Sequence, residues 1–448
     1  MSADIERDPR RAVETWIDEE PFRRRVVEYV GAHSAEVYLV GGTVRDALLR
    51  RAGCDLDFAV SDRAIDLARE VADLLGAAYV AMDEAHDVGR VVVRLHGRTH
   101  HIDFAGYRAA DIDSDLRARD FTVNAMAVAV EPNGLGAFLD PTGGRDDLSL
   151  GLLRAAYAGA FFDDPVRILR GVRLRGSLGL MWTAETEALA QEALAGLGNV
   201  SPERARDELA QILDLDDAAG TLRYAATLGV PGMVIPDLSD ANRLERGISL
   251  VEALVETRAR LESDSDLGRY SRALAAHLNA PMPGGRPLRI SLWLAAMLVG
   301  VDGPERAGKI ARGLRLSAAE VRHVGRAVGA REHLAAADRG AGCDTLWAHR
   351  YFRRAGAAGV CGALLALADD VIESVEAACL LSAWFEAHER LVDPPLLLNG
   401  REVMDLLGVA QGPMVGRLLD ALREAQVTGD VSTRQEAERF LRAIARYD

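Results

Sequence analysis

The stretch Val37–Val60, VYLVGGTVRDALLRRAGCDLDFAV, constrains the fold more than any other part of the chain. It opens on an apolar run, Val37-Tyr38-Leu39-Val40, short enough for a buried strand. Gly41 and Gly42 break that run and let the backbone turn sharply and approach a ligand. Thr43 reads as the N-cap of a helix over Val44–Arg51, since its hydroxyl can accept a free amide of the first turn. Amides at such a helix start, with Arg45 close by, suit a phosphate group. A second strand is expected over Cys54–Val60. Alternation along it puts Asp55 and Asp57 on one face and Leu56 and Phe58 on the other. Neighbouring carboxylates repel unless a cation sits between them. Two Mg²⁺ ions, shared with nucleotide phosphates, would relieve that repulsion. A bare D-x-D pair is weak. A strand, Gly-Gly, Arg and a second strand with D-x-D is far more specific.

The rest of the composition narrows the class. With 448 residues, several domains are expected. An apolar content of 49% is ample for cores, and the abundance of alanine, leucine and arginine favours helices. No apolar run reaches membrane-spanning length, and the charged start, MSADIERDPRR, is not followed by a signal-peptide core. A cytoplasmic protein with no membrane partner is therefore expected. Cys54, Cys343, Cys361 and Cys379 form no C-x-x-C pair. The last three fall in helical-looking stretches and read as small core residues in a reducing compartment. The net charge of −15 argues against a general coat of nucleic-acid affinity, although Arg167, Arg170, Arg173 and Arg175 concentrate positive charge locally.

In chain order, residues 1–36 read as a packing helical extension, with Val13, Trp16, Ile17, Phe22, Val26, Val27 and Val30 as its apolar positions. A helix is expected over Asp62–Leu75, a strand over Ala77–Met82, and two strands, Gly89–Leu95 and Thr99–Ala105, joined at Gly97. Asp103 lies on the second of these and is a candidate third carboxylate for the acidic pair. A short connection, Ala109–Ser114, precedes LRARDFTVNAMAVAV, and residues 137–148 read as a Gly-rich turn closing the sheet. Alternating strands and helices indicate an α/β head with a mixed sheet. Helices dominate from Leu152 onward. Asp163-Asp164-Pro165 and Ser201-Pro202-Glu203 each start one. A Pro/Gly-rich break falls at Ala280–Pro287, and a linker at Asp393-Pro394-Pro395. The boundaries expected are 1–36 (extension), 37–155 (catalytic head), 156–220 (neck), 221–392 (helical body) and 393–448 (tail).

Three clusters carry chemistry. Asp55 and Asp57 would hold metal for nucleotidyl transfer, with no side-chain nucleophile needed. Arg119 is placed to clamp phosphate and Asp120 to accept a hydrogen bond from a ribose hydroxyl; a surface ion pair is the plainer reading of the two. Asp164 and Arg167 are spaced to share a helix face. A carboxylate beside a guanidinium presents an acceptor next to donors, which matches the pairing edges of cytosine and adenine and repels those of guanine and uracil. Arg170 and Arg173 continue that face toward the triphosphate or the primer backbone.

These motifs resemble the class II tRNA nucleotidyltransferase and bacterial poly(A) polymerase family. The resemblance rests on LVGGTVRD at 39–46, DLD at 55–57, RDFTVNAMA at 119–127, DPTGGRDDL at 140–148, DDPVRILRGVRL at 163–174 and ERARDEL at 203–209. The tail stretches LLNGREVMDLLG and GPMVGRLLDALREAQVTGDVSTRQEA resemble the C-terminal region of some members. The resemblance implies a polymerase-β-like head followed by a mostly α-helical neck, body and tail. It implies addition of C, C and A from CTP and ATP to the tRNA acceptor end, without a nucleic-acid template and with release of pyrophosphate.

It also implies Asp55 and Asp57 on two Mg²⁺ ions. Gly41, Gly42, Arg45, Arg119, Asn124, Arg170 and Arg173 would lie on the nucleotide, Asp120 on the ribose, and Asp164 with Arg167 on the base. Glu203 and Arg204 would brace the neck helix. Ala118 stands where many members carry a second arginine, and Asp163 where many carry glutamate. The 109–114 connection is much shorter than the flexible loop that helps many members switch from C to A. That shortness points to an enzyme adding only the two Cs, or acting in a split system. The body keeps only a degenerate His-Asp-like region, with no such pair around Leu292–Gly300. A poly(A) polymerase, or a non-catalytic RNA-binding relative, are the alternatives, and the oligomeric state is open.

Overall fold

The computed structural model describes residues 8–53, 55–95, 98–260, 263–336 and 344–445. Gly97, Cys54 and Cys343 lie outside the described residues. The chain divides into two compact units. The first runs to Val200 and takes in Thr227–Met233; the second holds Ser201–Ala226 and everything from Val234 onward.

A seven-stranded mixed sheet builds the first unit. Its strands are β1 (Val37–Val40), β2 (Leu56–Val60), β3 (Ala78–Asp83), β4 (Val88–Leu95), β5 (Arg98–Gly106), β6 (Ala127–Glu131) and β7 (Gly134–Leu139), in the order β3-β4-β5-β2-β1-β6-β7. Among the described residues of this sheet, β2 and β5 are the one parallel pair, in a register that sets Asp57 beside Asp103. On β2, Leu56 and Phe58 lie in the core and Asp57 between them is half-buried on the other face. The Phe58 and Phe104 rings stack at 4.9 Å across the β2–β5 pair. Helices α1 (Pro9–Asp18), α2 (Pro21–Gly31), α3 (Gly42–Leu48) and α4 (Ala64–Leu75) precede β3. Helix α5 (Ile112–Arg117) follows β5, starting inside the stretch expected to be a bare connection.

The apolar positions expected of the N-terminal extension are all buried. Two helices rather than one carry them, because Pro21 starts a second helix behind the turn at 19–20. They brace the loop that leads to Asp55. Trp16 Nε1 donates to the Arg51 carbonyl at 2.9 Å. Arg23 is buried, lies 3.6 Å over the Trp16 ring, and donates to the carbonyls of Trp16 and Gly53. Arg23→Ala removes the stack and strands two carbonyls, so a loss of about 2–4 kcal/mol is expected. A chemical-denaturation midpoint equal to that of the unchanged protein would show the stack to be dispensable.

Beyond the sheet come α6 (Gly144–Leu150), α7 (Ala160–Asp163), α8 (Val166–Leu178) and α9 (Ala184–Ala193). One glycine sets how α8 sits. A Cβ on Gly171 would lie 2.4 Å from the Trp182 ring and 2.6 Å from Phe121. Its absence lets the Phe121, Phe161 and Trp182 rings pack directly on the helix, and Trp182 Nε1 donates to the Gly171 carbonyl at 3.2 Å. This packing fixes α8 over the residues that follow Arg119.

Helices make up the second unit. The helices Gly400–Leu407, Pro413–Thr428 and Arg434–Ile444 close around their own apolar cluster, centred on Val403, Leu418, Leu422 and Leu441. Cys361 is a buried free thiol there, as expected of a core residue. Cys379 differs: it is half-buried and disulfide-bonded. Helical periodicity places a cysteine on a face but carries no trace of what its sulfur meets. No helix among the described residues is long and apolar enough to cross a membrane.

Candidate active site

Helix α3 begins two residues earlier than the sequence indicates. Gly41 stands at its N-cap with φ +65°, which glycine adopts without strain. Thr43 is therefore inside the first turn rather than the cap, and its hydroxyl reaches across to β2. It accepts from the Asp57 amide at 2.7 Å and donates to the Asp55 carbonyl at 3.4 Å. The Asp57 amide, at the start of β2, needs an acceptor, and this satisfies it. The same hydroxyl thus holds the backbone of both acidic residues.

Asp57 lies against the two glycines. A Cβ on Gly42 would stand 3.3 Å from Asp57 Oδ2, and one on Gly41 would stand 3.7 Å from it and 3.0 Å from Arg119 Nη1. Bulk at either position would collide with the charged groups themselves. Asp55 precedes β2 and is exposed; its carboxylate accepts from the His101 amide at 2.9 Å, with His101 Nδ1 at 3.3 Å. Asp103 stands beside Asp57 in the sheet, but both of its oxygens accept from Arg90 at 2.7 Å.

The electrostatics follow from this crowding. Burial, and then the charge of Asp103, push the Asp57 carboxyl up to about 6, with Asp55 adding to the rise and Arg119 and Arg45 opposing it. Asp120 shows the opposite balance. Burial alone would raise it, but Arg170, the Asn124 amide and the Phe121 amide together hold it below the usual carboxylate range. Phe121 N donates to Asp120 at 2.8 Å, Asn124 Nδ2 at 3.1 Å and Arg170 Nη1 at 3.1 Å. Asn124 in turn accepts from Arg45 Nη1 at 2.5 Å, and Arg45 also pairs with Asp46. Arg45, Asn124, Asp120 and Arg170 therefore form one continuous polar chain from α3 to α8.

Arg167 joins the same neighbourhood. Its Nη2 donates to the Ala118 carbonyl at 3.3 Å, directly before Arg119. Its Nη1 donates to Tyr157 Oη at 3.2 Å and to the Ala160 carbonyl at 3.4 Å. Asp164 sits in extended conformation at the joint between α7 and α8 rather than within a helix. Pro165 disfavours a helical residue before it, and the Asp164 carboxylate stands 4.0 Å from Arg167 Nε. Arg173 follows on α8, half-buried.

Several residues of this neighbourhood carry little or no signal in the sequence. Asp115 is buried and fixes Arg119, accepting from its Nη2 at 3.2 Å and from the Arg108 amide at 3.0 Å. Its i,i+4 spacing to Arg119 was the available signal. Tyr157, which joins Asp163 to Arg167 through its hydroxyl, carries no spacing signal. Neither do Arg90 and His101, whose roles depend on strand register.

The family described as "Poly A polymerase head domain" matches residues 37–154. The CC-adding tRNA nucleotidyltransferase of Geobacter sulfurreducens is 35% identical over 414 residues, covering 90% of this chain and 91% of that one. The chain belongs to the tRNA nucleotidyltransferase family. This nucleotidyltransferase is also 32% identical over 431 residues to the A-adding tRNA nucleotidyltransferase of Deinococcus radiodurans, covering 91% of this chain and 95% of that one. A CCA-adding enzyme solved with ATP has the same fold, with a TM-score of 0.71 at 21% identity over 99% of this chain and 100% of that one. Another, solved with CTP, gives 0.70 at 21% identity over 98% and 99%. The nucleotidyltransferase thus has the polymerase-β-like head followed by helices that its motifs imply.

Proposed function

We propose that this nucleotidyltransferase extends tRNA 3′ ends without a template, adding C from CTP and releasing pyrophosphate. One observation carries the reading: within a single compact unit, a polar chain runs from α3, whose Thr43 holds the backbone of Asp55 and Asp57, to Arg170 on α8, the helix that carries Arg167 behind Asp164. Gly41 and Gly42 leave room for a triphosphate beside Asp57. Arg45 and Arg119 supply cations to it, and Arg173 extends that side along α8. Arg170 and Asn124 keep Asp120 ionised to accept from a ribose hydroxyl. Asp164 and Arg167 present an acceptor and donors to the base, with Tyr157 and the Ala118 carbonyl holding the guanidinium plane.

The donor set fits a hard divalent cation. Burial, and then the neighbouring carboxylates, hold Asp57 at about 6, and a bound Mg²⁺ would offset both by stabilising the anion. Asp55 and Asp57 are the residues to hold it, because Arg90 occupies both oxygens of Asp103. Two Mg²⁺ ions, when bound, would acidify the incoming hydroxyl and neutralise the departing pyrophosphate.

The short 109–114 connection favours CC addition over full CCA addition, and α5, which starts within it, supplies the Asp115 that fixes Arg119. The A-adding relative favours a second reading, addition of A alone to tRNA ending in C-C. Purified protein incubated with Mg²⁺, each labelled nucleotide and tRNA lacking its 3′ end, or tRNA ending in C-C, separates them. C incorporation into the first substrate with no A added to the second is expected. A incorporation into the second alone selects the other reading, and long A tails on unrelated RNA reject both.

Asp57 also sets a pH dependence. Its folded pKa lies above the ordinary value of 3.8, so its contribution to stability is complete below that value and is lost as pH rises through about 6. Incorporation runs the other way, because the anion is the form that holds a cation, and it should fall as pH drops through about 6 at limiting Mg²⁺. Asp103→Asn removes a cause of the rise and frees Arg90, so the acid limb of the pH–rate profile should move to lower pH. A limb that stays in place would assign it to another group.

A further inference from the structure

We propose that the second unit carries a separate binding site for a nucleoside polyphosphate. It lies in a cavity of about 560 Å³ bordered by the helices Gly303–Gly313, Ala318–Ala336 and Thr345–Ala355. That volume falls in the range of small-molecule sites.

The floor is apolar. Val321, Ala330, Tyr351 and Ala355 line it and are buried. Its depth depends on two helices meeting closely: a Cβ on Gly325 would lie 2.9 Å from the Pro304 carbonyl. The rim is cationic. Lys309, Arg312, Arg322 and Arg326 are all exposed there. None of these four forms an ion pair among the described residues, although arginines elsewhere in the unit, such as Arg223, Arg286, Arg306 and Arg350, are each paired with carboxylates. Glu305 is the carboxylate among the lining residues and forms no ion pair among the described residues either. A fifth cation, Arg354, lies against His333, 3.0 Å from its Nε2.

Unpaired like charges around one cavity repel, and in a chain of net charge −15 their clustering is not a by-product of overall composition. A polyanion offsets that repulsion. An apolar floor under a cationic rim divides the ligand into a flat apolar part below and phosphates above, which is the form of a nucleotide. A bare RNA backbone would use the rim and leave the floor empty.

Lys309 is the sole lysine of the chain, so it reports on the cavity without mutagenesis. Full-length protein is treated with an amine-acylating ester, and labelling of the Lys309 peptide is followed by mass spectrometry. Saturating ATP is expected to slow labelling about tenfold, and pyrophosphate at equal concentration about threefold or less, because the base contact is missing. Arg312→Ala/Arg326→Ala should abolish the protection while leaving C incorporation unchanged. Labelling indifferent to ATP overturns the site. Protection by pyrophosphate equal to that by ATP overturns its nucleotide character. Protection by tRNA alone overturns it in favour of an RNA-facing surface. None of these outcomes bears on the activity assigned to the first unit.

Discussion

Asp57→Ala is expected to abolish nucleotide incorporation, by about 10³-fold or more, the scale on which loss of one preorganised electrostatic group acts. Retained binding of tRNA, measured by filter retention or anisotropy, is expected alongside. The substitution removes a carboxylate whose burial and whose repulsion from Asp103 and Asp55 outweigh the attraction of Arg119 and Arg45. Thermal unfolding at neutral pH should therefore be unchanged or slightly later. That combination, inactive but no less stable, distinguishes a catalytic role from a structural one. Turnover that survives in Asp57→Ala removes the metal-holding assignment of the acidic pair. Inactivity with a large fall in melting temperature would assign Asp57 to the scaffold instead.

The second large effect is expected on choice of base. Arg167→Ala should cut discrimination of C and A against U and G by about 10–100-fold, the range of one good side-chain-to-base contact. Apparent affinity for the triphosphate should change less, since Arg45 and Arg119 lie elsewhere in the neighbourhood. Competition between labelled CTP and UTP on one tRNA gives the ratio directly. Tyr157→Phe, which leaves the ring but removes the hydroxyl that Arg167 Nη1 meets at 3.2 Å, should shift the same ratio in the same direction by a smaller amount. An unchanged preference in Arg167→Ala would end the base-reading role. A loss of all four nucleotides in equal measure would make Arg167 a general binding residue.

Much of the head was legible because its signals are local. The run Val37–Val40 is β1 residue for residue. Pro202 and the acidic residue after it mark a helix that does run Pro202–Leu213. Alternation along β2 correctly set Asp57 opposite Leu56 and Phe58. The misplacements share one cause. Thr43 has the chemistry of a cap, yet a tertiary acceptor was needed at the Asp57 amide and the hydroxyl went there. Asp164 has the spacing of a helical residue, yet Pro165 forces it into an extended joint. In both, a preference valid in isolation gave way to a partner or a steric rule acting on the neighbour.

The amino-acid order by itself determined which residues are acidic, basic or glycine at each turn of the head, and hence what chemistry its strands and helix starts can present. Only the tertiary structure decided which charges meet. Asp103 faces Asp57 because β2 and β5 pair in parallel at that register, yet its oxygens belong to Arg90 on β4. Arg170 reaches Asp120 because Gly171 lets α8 settle onto Phe121 and Trp182. Periodicity fixes the face a side chain takes on its own element. The partner across a sheet or beneath a helix depends on register and on packing distance, and these are set by residues far away in the chain.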